Sequence, residues 1–214
     1  WIISSVTGIT AQGFTGVVET FPSPVKLFER QLDLSAHYPL AAVKIGALFS
    51  MDQLEAVIRY CRSLKNTVIV ADPVFGPSGG APFYTEEMVR CFTEDLVRHV
   101  SVVTPNRTEL ERVYGRAFNT VIEAAEHVHA ARDSNTVYCI KGGHFDGATI
   151  TEAVVDRSIH YTRSKRRQYK YSHGTGCMLS TLVACHAGGG MKIDRAFRKA
   201  TKAVQDRYNL YNSI

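Results

Sequence analysis

No two of the five cysteines, at positions 61, 91, 139, 177 and 185, stand at the spacing of a zinc knuckle or a redox dithiol. That excludes a disulfide scaffold and fits a reducing compartment. An apolar run of membrane-spanning length is missing, and so is a cationic, apolar, small-residue leader, which makes the cytoplasm the simplest address and leaves no membrane partner to expect. A large excess of one charge is missing too: 25 Lys and Arg face 20 Asp and Glu, a net of +5. Such a balance fits an anionic small-molecule substrate or simply a solvated surface. The densest basic run, Arg163 to Tyr171, has the basic-plus-aromatic look of a nucleic-acid patch, but no Cys₂His₂, RNP-like or basic-zipper pattern accompanies it. A solvated loop or a phosphate-facing flap explains it better, and no nucleic-acid partner is expected.

What is present is one domain's worth of core, with 214 residues of which 45% are hydrophobic. Phe21-Pro22-Ser23-Pro24 interrupts any regular element near the start. Val25 to about Tyr38 is helix-compatible, Ala41 to Gly46 reads as a short buried strand, and Ser50 with Gln53 opens the next helix as a capping-box pair. Thr67 to Ala71 is a continuous apolar strand of the parallel, doubly covered kind, running into Asp72-Pro73. A helix around Glu86 to Leu96 and a strand at Val100 to Val103 follow. Thr120 with Glu123 can cap a helix containing Ile122, Ala125 and Val128, and a strand at Thr136 to Ile140 comes next. Ala153-Val154-Val155 and Ile159-His160-Tyr161 flank Asp156-Arg157-Ser158 as an antiparallel edge hairpin. Cys177 to Ala187, apolar almost all round, predicts a central buried helix, and Asp194 to about Tyr211 a final amphipathic one. The alternation predicts an α/β protein with a mostly parallel sheet between two helical layers.

The candidate chemistry gathers behind predicted strands. Gly174-Thr175-Gly176 enters a helix, where glycines allow a tight turn and unpaired first-turn N–H groups favour an anion; a plain glycine-rich turn is the bland alternative. No Gly-Lys-Ser/Thr follows, so it is not a Walker P-loop. Cys177 at that helix start is a base or nucleophile, or else a buried inert thiol. Asp72, Asn106, Glu109 and Lys141 each closely follow a strand. Acids and an amide can hold hydrated Mg²⁺, and a lysine can meet phosphate as a point charge; each alone reads more readily as a loop residue or cap, and their joint placement after three separate strands tilts the balance toward a site.

Val43-Lys44-Ile45-Gly46, Asp72-Pro73-Val74 with Ser78-Gly79, Thr104-Pro105-Asn106 with Glu109, Lys141-Gly142-Gly143-His144 and His173-Gly174-Thr175-Gly176-Cys177 occur in the order that resembles hydroxymethylpyrimidine and phosphomethylpyrimidine kinases of the ribokinase-like superfamily. The resemblance runs from about Ile3 to the C-terminus. It implies a ribokinase-like three-layer α/β/α sandwich, ATP and Mg²⁺, phosphoryl transfer to a hydroxymethyl group or an existing phosphate, a role in thiamine diphosphate synthesis, and a homodimer. It places Cys177 in the catalytic position with Gly174, Thr175 and Gly176 as the anion hole, Lys141 on phosphate, Asn106 and Glu109 near nucleotide and metal, and Asp72 near metal. The family's opening strand and glycine-rich segment do not precede Ile3 here, so the natural chain is expected to begin earlier. On the substrate side, Gln12 stands in Ala11-Gln12-Gly13-Phe14 as a pyrimidine contact, and Ala47 replaces a methionine, which reshapes the pocket. Pyridoxal kinase and a non-catalytic vitamin-binding or regulatory relative are the rival readings.

Overall fold

The computed structural model describes residues 2–13, 16–77, 82–132, 135–167 and 174–212, with the side chains of Gln12, Tyr211 and Asn212 outside that description. Its centre is a six-stranded sheet in simple sequence order: β3 (Ala42–Ile45), β4 (Val68–Ala71), β5 (Val102–Val103), β6 (Val137–Ile140), β7 (Thr149–Val155) and β8 (Ile159–Lys165). The first four run parallel, while β7 and β8 are antiparallel to their neighbours, the edge hairpin expected around Asp156-Arg157-Ser158.

Strand alternation divides the core into two layers. Ile69, Ala71, Val103, Tyr138, Ile140, Ala153 and Val155 face one way. They meet α2 (Met51–Ser63), α3 (Glu86–Cys91), α4 (Arg107–Tyr114) and α5 (Val121–Ala131), with α1 (Val25–Ala36) packed on α2. Val70, Val102, Cys139 and Val154 face the other way, onto α6 (Thr175–Gly188) and α7 (Ile193–Asn212). Phe197 of α7 is wholly buried there, a contact of about 1.5–3 kcal/mol. This is the three-layer α/β/α sandwich with a mostly parallel sheet. No helix among the described residues is long and apolar enough to cross a membrane.

Several local expectations change. The Phe21-Pro22-Ser23-Pro24 break stands between β2 (Gly16–Pro22), which ends at Pro22, and α1, which begins at Val25, but β2 and β1 (Gly8–Gly13) ahead of it form a separate, unexpected antiparallel hairpin. The helix from Glu86 is α-helical only to Cys91, then π-helical over Phe92–Leu96 and 3₁₀ over Val97–His99. Helix α5 buries Val121, Ala124, Ala125 and Val128, while Ile122 is 40% exposed. Helix α6 is not buried all round: Cys177, Thr181 and Cys185, spaced by four, lie along an exposed stripe, and Leu179, Ser180, Val183, Ala184 and Ala187 face inward.

The Ser50 cap forms as expected, its side chain accepting from the Gln53 N–H, but the reciprocal bond goes elsewhere. Fully buried Gln53 accepts from Phe49 N–H at 3.0 Å and donates to the carbonyls of Thr7 at 2.7 Å and Ser23 at 3.2 Å. One side chain thereby clamps both ends of the β1–β2 hairpin to the segment that follows β3. Gln53 is itself wholly buried and its three partners half-buried, so the hairpin's base is the well-held part of it.

Candidate active site

Parallel strands end together, and the ladder continues one residue past each end. Asp72 N–H bonds Ile45 O at 3.0 Å, Thr104 N–H bonds Ala71 O at 3.0 Å, and Lys141 N–H bonds Pro105 O at 2.8 Å. The residues after β4, β5 and β6 are therefore set side by side at the carboxyl edge of the sheet, where open α/β sheets carry their ligands.

Asp72 is the hub. Its Oδ1 accepts from Lys141 Nζ at 2.8 Å and Thr104 Oγ1 at 3.0 Å, and its Oδ2 lies 3.0 Å from Ser180 Oγ. That Ser180 hydroxyl also lies 3.1 Å from the Cys177 carbonyl; with one proton to give, it favours the charged carboxylate. Burial alone would raise Asp72, but the charges of Lys141 and Lys44, with hydrogen bonds from Lys141 and Ser180, hold it below the usual carboxylate range. Lys141 reaches Glu109 as well, at 3.4 Å. Burial would lower Lys141, and Glu109 and Asp72 more than offset it, so the ammonium stays charged. Glu109 is pushed up by burial and by Asp72 in spite of Lys141.

Asn106 and Glu109 close the capping box of α4: Asn106 Oδ1 accepts from Glu109 N–H at 3.0 Å, and Glu109 Oε2 from Asn106 N–H at 2.7 Å. The helix cap holds Glu109 against Lys141. A divalent cation bound directly by both Asp72 and Glu109 does not fit beside this arrangement, because the Lys141 ammonium already stands between them, and no group of three or more potential metal ligands occurs among the described residues.

Helix α6 brings the anion turn over this cluster. Gly174 caps it at φ 81°, a left-handed conformation that only glycine adopts without strain. The first helical bond, Met178 N–H to Gly174 O at 2.9 Å, leaves the N–H groups of Thr175, Gly176 and Cys177 ahead of the helical ladder. Lys141 lies directly beneath: a Cβ built on Gly176 would stand 3.5 Å from its ammonium. Cys177 is exposed at the mouth. Burial pushes its thiol up, Lys44 and Lys141 pull it back, and Asp72 and Glu109 add to the rise.

Of the residues singled out from sequence, Asp72, Glu109, Lys141, Gly174, Thr175, Gly176 and Cys177 converge, and Asn106 supports them from the α4 cap. Ala47 lies half-buried just past β3, near the β1–β2 hairpin that rests on Phe49; Gln12 lies in β1 with its side chain outside the described residues. Ser78-Gly79, His173 and Tyr169 to Tyr171 also lie outside them. Arg166, from the basic run, is bound to the carbonyls of Gly143, Phe145 and Gly147. Sequence reasoning missed Thr104, Ser180 and Lys44. Ser180 precedes Val183, Ala184 and Ala187 by three, four and seven residues, which puts it with them on the inner face of α6. Lys44 is a charged residue in an otherwise apolar strand, and its ammonium lies 3.9 Å from Asp72 Oδ2.

The chain is similar to known proteins. A family model for phosphomethylpyrimidine kinase matches residues 2–212. A thiamine biosynthesis multifunctional protein of Corynebacterium efficiens is 31% identical over 211 residues, covering 95% of this chain; the chain spans only 28% of that relative's length. A hydroxymethylpyrimidine/phosphomethylpyrimidine kinase of Haemophilus influenzae is 29% identical, with 97% of this chain and 81% of the relative covered. The crystal structure of an ADP complex of Bacillus subtilis pyridoxal kinase superposes with a TM-score of 0.80 at 25% identity, covering 92% of this chain and 77% of that one.

Proposed function

The chain belongs to the phosphomethylpyrimidine kinase family, and on that premise we propose that it transfers the γ-phosphoryl group of ATP, supplied with Mg²⁺, to a hydroxymethylpyrimidine or its monophosphate in thiamine diphosphate synthesis. The observation that carries the reading is the stacking of the Gly174–Cys177 turn over the Asp72–Lys141–Glu109 cluster at the carboxyl edge of the sheet. The N–H groups of the first α6 turn, ahead of the helical ladder, receive charge that develops on the transferred phosphoryl oxygens. Cys177 Sγ takes the proton of the acceptor hydroxyl as its oxygen bonds phosphorus and the bond to the departing ADP breaks. Because burial raises that thiol, turnover of the hydroxymethyl acceptor should climb with pH beyond 9, the thiol's ordinary value.

Replacing Cys177 by Ser leaves the turn's backbone in place and removes the base. We expect kcat for the hydroxymethyl acceptor to fall about 10²- to 10⁴-fold and the alkaline rise to disappear, with nucleotide still binding. A variant within a few-fold of the parent, where chemistry limits the rate, would remove Cys177 from the reaction. The likeness to pyridoxal kinase favours a second substrate reading, and a substrate panel with a higher kcat/KM for pyridoxal would install it. Nucleotide binding with no turnover of either vitamin precursor would instead mark a non-catalytic relative. A homodimer belongs to the same proposal, supported by Ile9, Val18 and Phe21, which the hairpin leaves 69%, 82% and 67% exposed; a monomer in sedimentation velocity would sink it.

A further inference from the structure

We propose that Lys44 is the receptor for the phosphate of a phosphorylated acceptor, set on the opposite flank of Asp72 from Lys141. The inference rests on the phosphotransferase reading above and adds to it the group that distinguishes a phosphate-bearing acceptor from a free alcohol. The two ammonium groups are unlike. Lys141 is hydrogen-bonded to Asp72 and held against Glu109, so its charge is taken up within the protein. Lys44 is only 21% exposed, yet its one anionic neighbour among the described residues, Asp72 Oδ2, lies at 3.9 Å, past hydrogen-bond length. A lysine ammonium has three donors, and the Lys44 head group, unlike that of Lys141, is not a buried one, so its donors are open to an anion entering the recess.

The neighbourhood keeps room for that head group. A Cβ on Gly46 would come within 2.6 Å of the Lys44 ammonium, so any larger residue there displaces it. Lys44 and Lys141 both pull the Cys177 thiol downward, so the Lys44 charge is felt at the reacting end of the site.

The chemistry separates the roles of Lys44 and Cys177. A phosphate monoester has a second pKa of about 6 and is already a dianion above neutrality. Its oxygen bonds the γ-phosphorus and ADP departs with no proton to remove, so Cys177 is needed for the alcohol and not for the ester. The ester brings two further negative charges that must be held, and Lys44 is placed to hold them.

The test compares the parent with Lys44→Met and Lys44→Gln, using 4-amino-5-hydroxymethyl-2-methylpyrimidine and its monophosphate as acceptors. Calorimetric titration with the monophosphate is run in the absence of nucleotide, and thermal melting identifies any variant that fails to fold. Loss of a charge-assisted contact should weaken monophosphate binding about 10- to 100-fold. The kcat/KM ratio of monophosphate to alcohol should fall by a similar factor, whereas Cys177→Ser should move that ratio the other way. Equal loss for both acceptors, or unchanged monophosphate affinity in a folded variant, overturns the proposal. If the parent turns over neither acceptor, the phosphotransferase reading fails, and the titration still decides whether Lys44 binds the phosphate.

Discussion

Asp72, at the end of β4, and Glu152, within β7, are carboxylates buried on the same face of one sheet, at 2% and 8% exposure, and their surroundings treat them oppositely. Asp72 is met by Lys141 at 2.8 Å and by Thr104 and Ser180 at 3.0 Å, and is held ionised. Glu152 makes no ion pair among the described residues. Burial pushes it up to about 7, and the Thr201 hydroxyl of α7 acts against that rise although its Oγ1 has no partner at hydrogen-bond geometry. A buried carboxylate is thus not in itself a mark of a site. What makes Asp72 one is the set of donors that strand ends and α6 aim at it, and the state of each acid follows from its partners rather than from its depth.

The sharpest way to break the contrast is to take the ammonium from Asp72. Lys141→Met strands both Asp72 and Glu109 in the interior, and removing one partner of a buried pair costs about 3–5 kcal/mol. Urea unfolding at pH 7.5 should show that loss, and Asp72 should move toward the condition of Glu152, its titration shifting upward. A variant within about 1 kcal/mol of the parent would mean that the cluster is held from elsewhere and that Lys141 is free to serve as a phosphate ligand.

This outcome is not what position alone suggests. Lys141 follows a strand at the ligand-bearing edge, which reads naturally as a phosphate contact, but the partners that tie it down are remote: Asp72 lies 69 residues away in sequence, and Ser180 meets the same acid across 108. Strand and helix periodicity reveals which face a residue takes, so β4, β6, the β7–β8 hairpin and α7 are legible, as is the convergence of Asp72, Glu109, Lys141 and the Gly174 turn. It does not reveal which of several like residues will be neighbours. Lys44 was overlooked for that reason: within an apolar strand it carries no local sign that its head group emerges beside Cys177. The hairpin β1–β2 was hidden by its short, glycine-bounded strands, and α4 by its eight-residue length and low apolar content. The exposed stripe of α6 was hidden because Cys177 and Cys185 count as apolar while facing solvent.

A second experiment removes the other pole of the comparison. Glu152 titrates near 7 when folded and at its ordinary 4.5 when unfolded, so folding favours the protonated form. The stability this acid contributes is complete below about pH 4.5 and is lost progressively as pH rises through about 7. Glu152→Gln has no proton to lose. The stability difference between variant and parent should therefore grow in the variant's favour by on the order of 2–3 kcal/mol between pH 5 and pH 8. Other titrating groups, Glu109 among them, are common to both proteins and cancel in the difference. A constant difference across that range would mean that Glu152 finds a cation or water in solution and is ionised throughout.

The smallest expected effect lies within the site and separates its two lysines. Lys44→Met removes a charge 3.9 Å from Asp72, with no hydrogen bond between them and Oδ2 still accepting from Ser180. Methionine retains most of the aliphatic stem that packs beneath α6, and a partly solvated pair without contact geometry is worth about 1 kcal/mol or less. Unfolding measured beside Lys141→Met should accordingly show Lys44→Met within about 1 kcal/mol of the parent. A loss as large as that of Lys141→Met would show both lysines to be structural counterions of one acid. Lys44 would then have no donors left for a phosphate, and its separation from Lys141 as the acceptor-side cation would fail on stability alone, before any acceptor is tested.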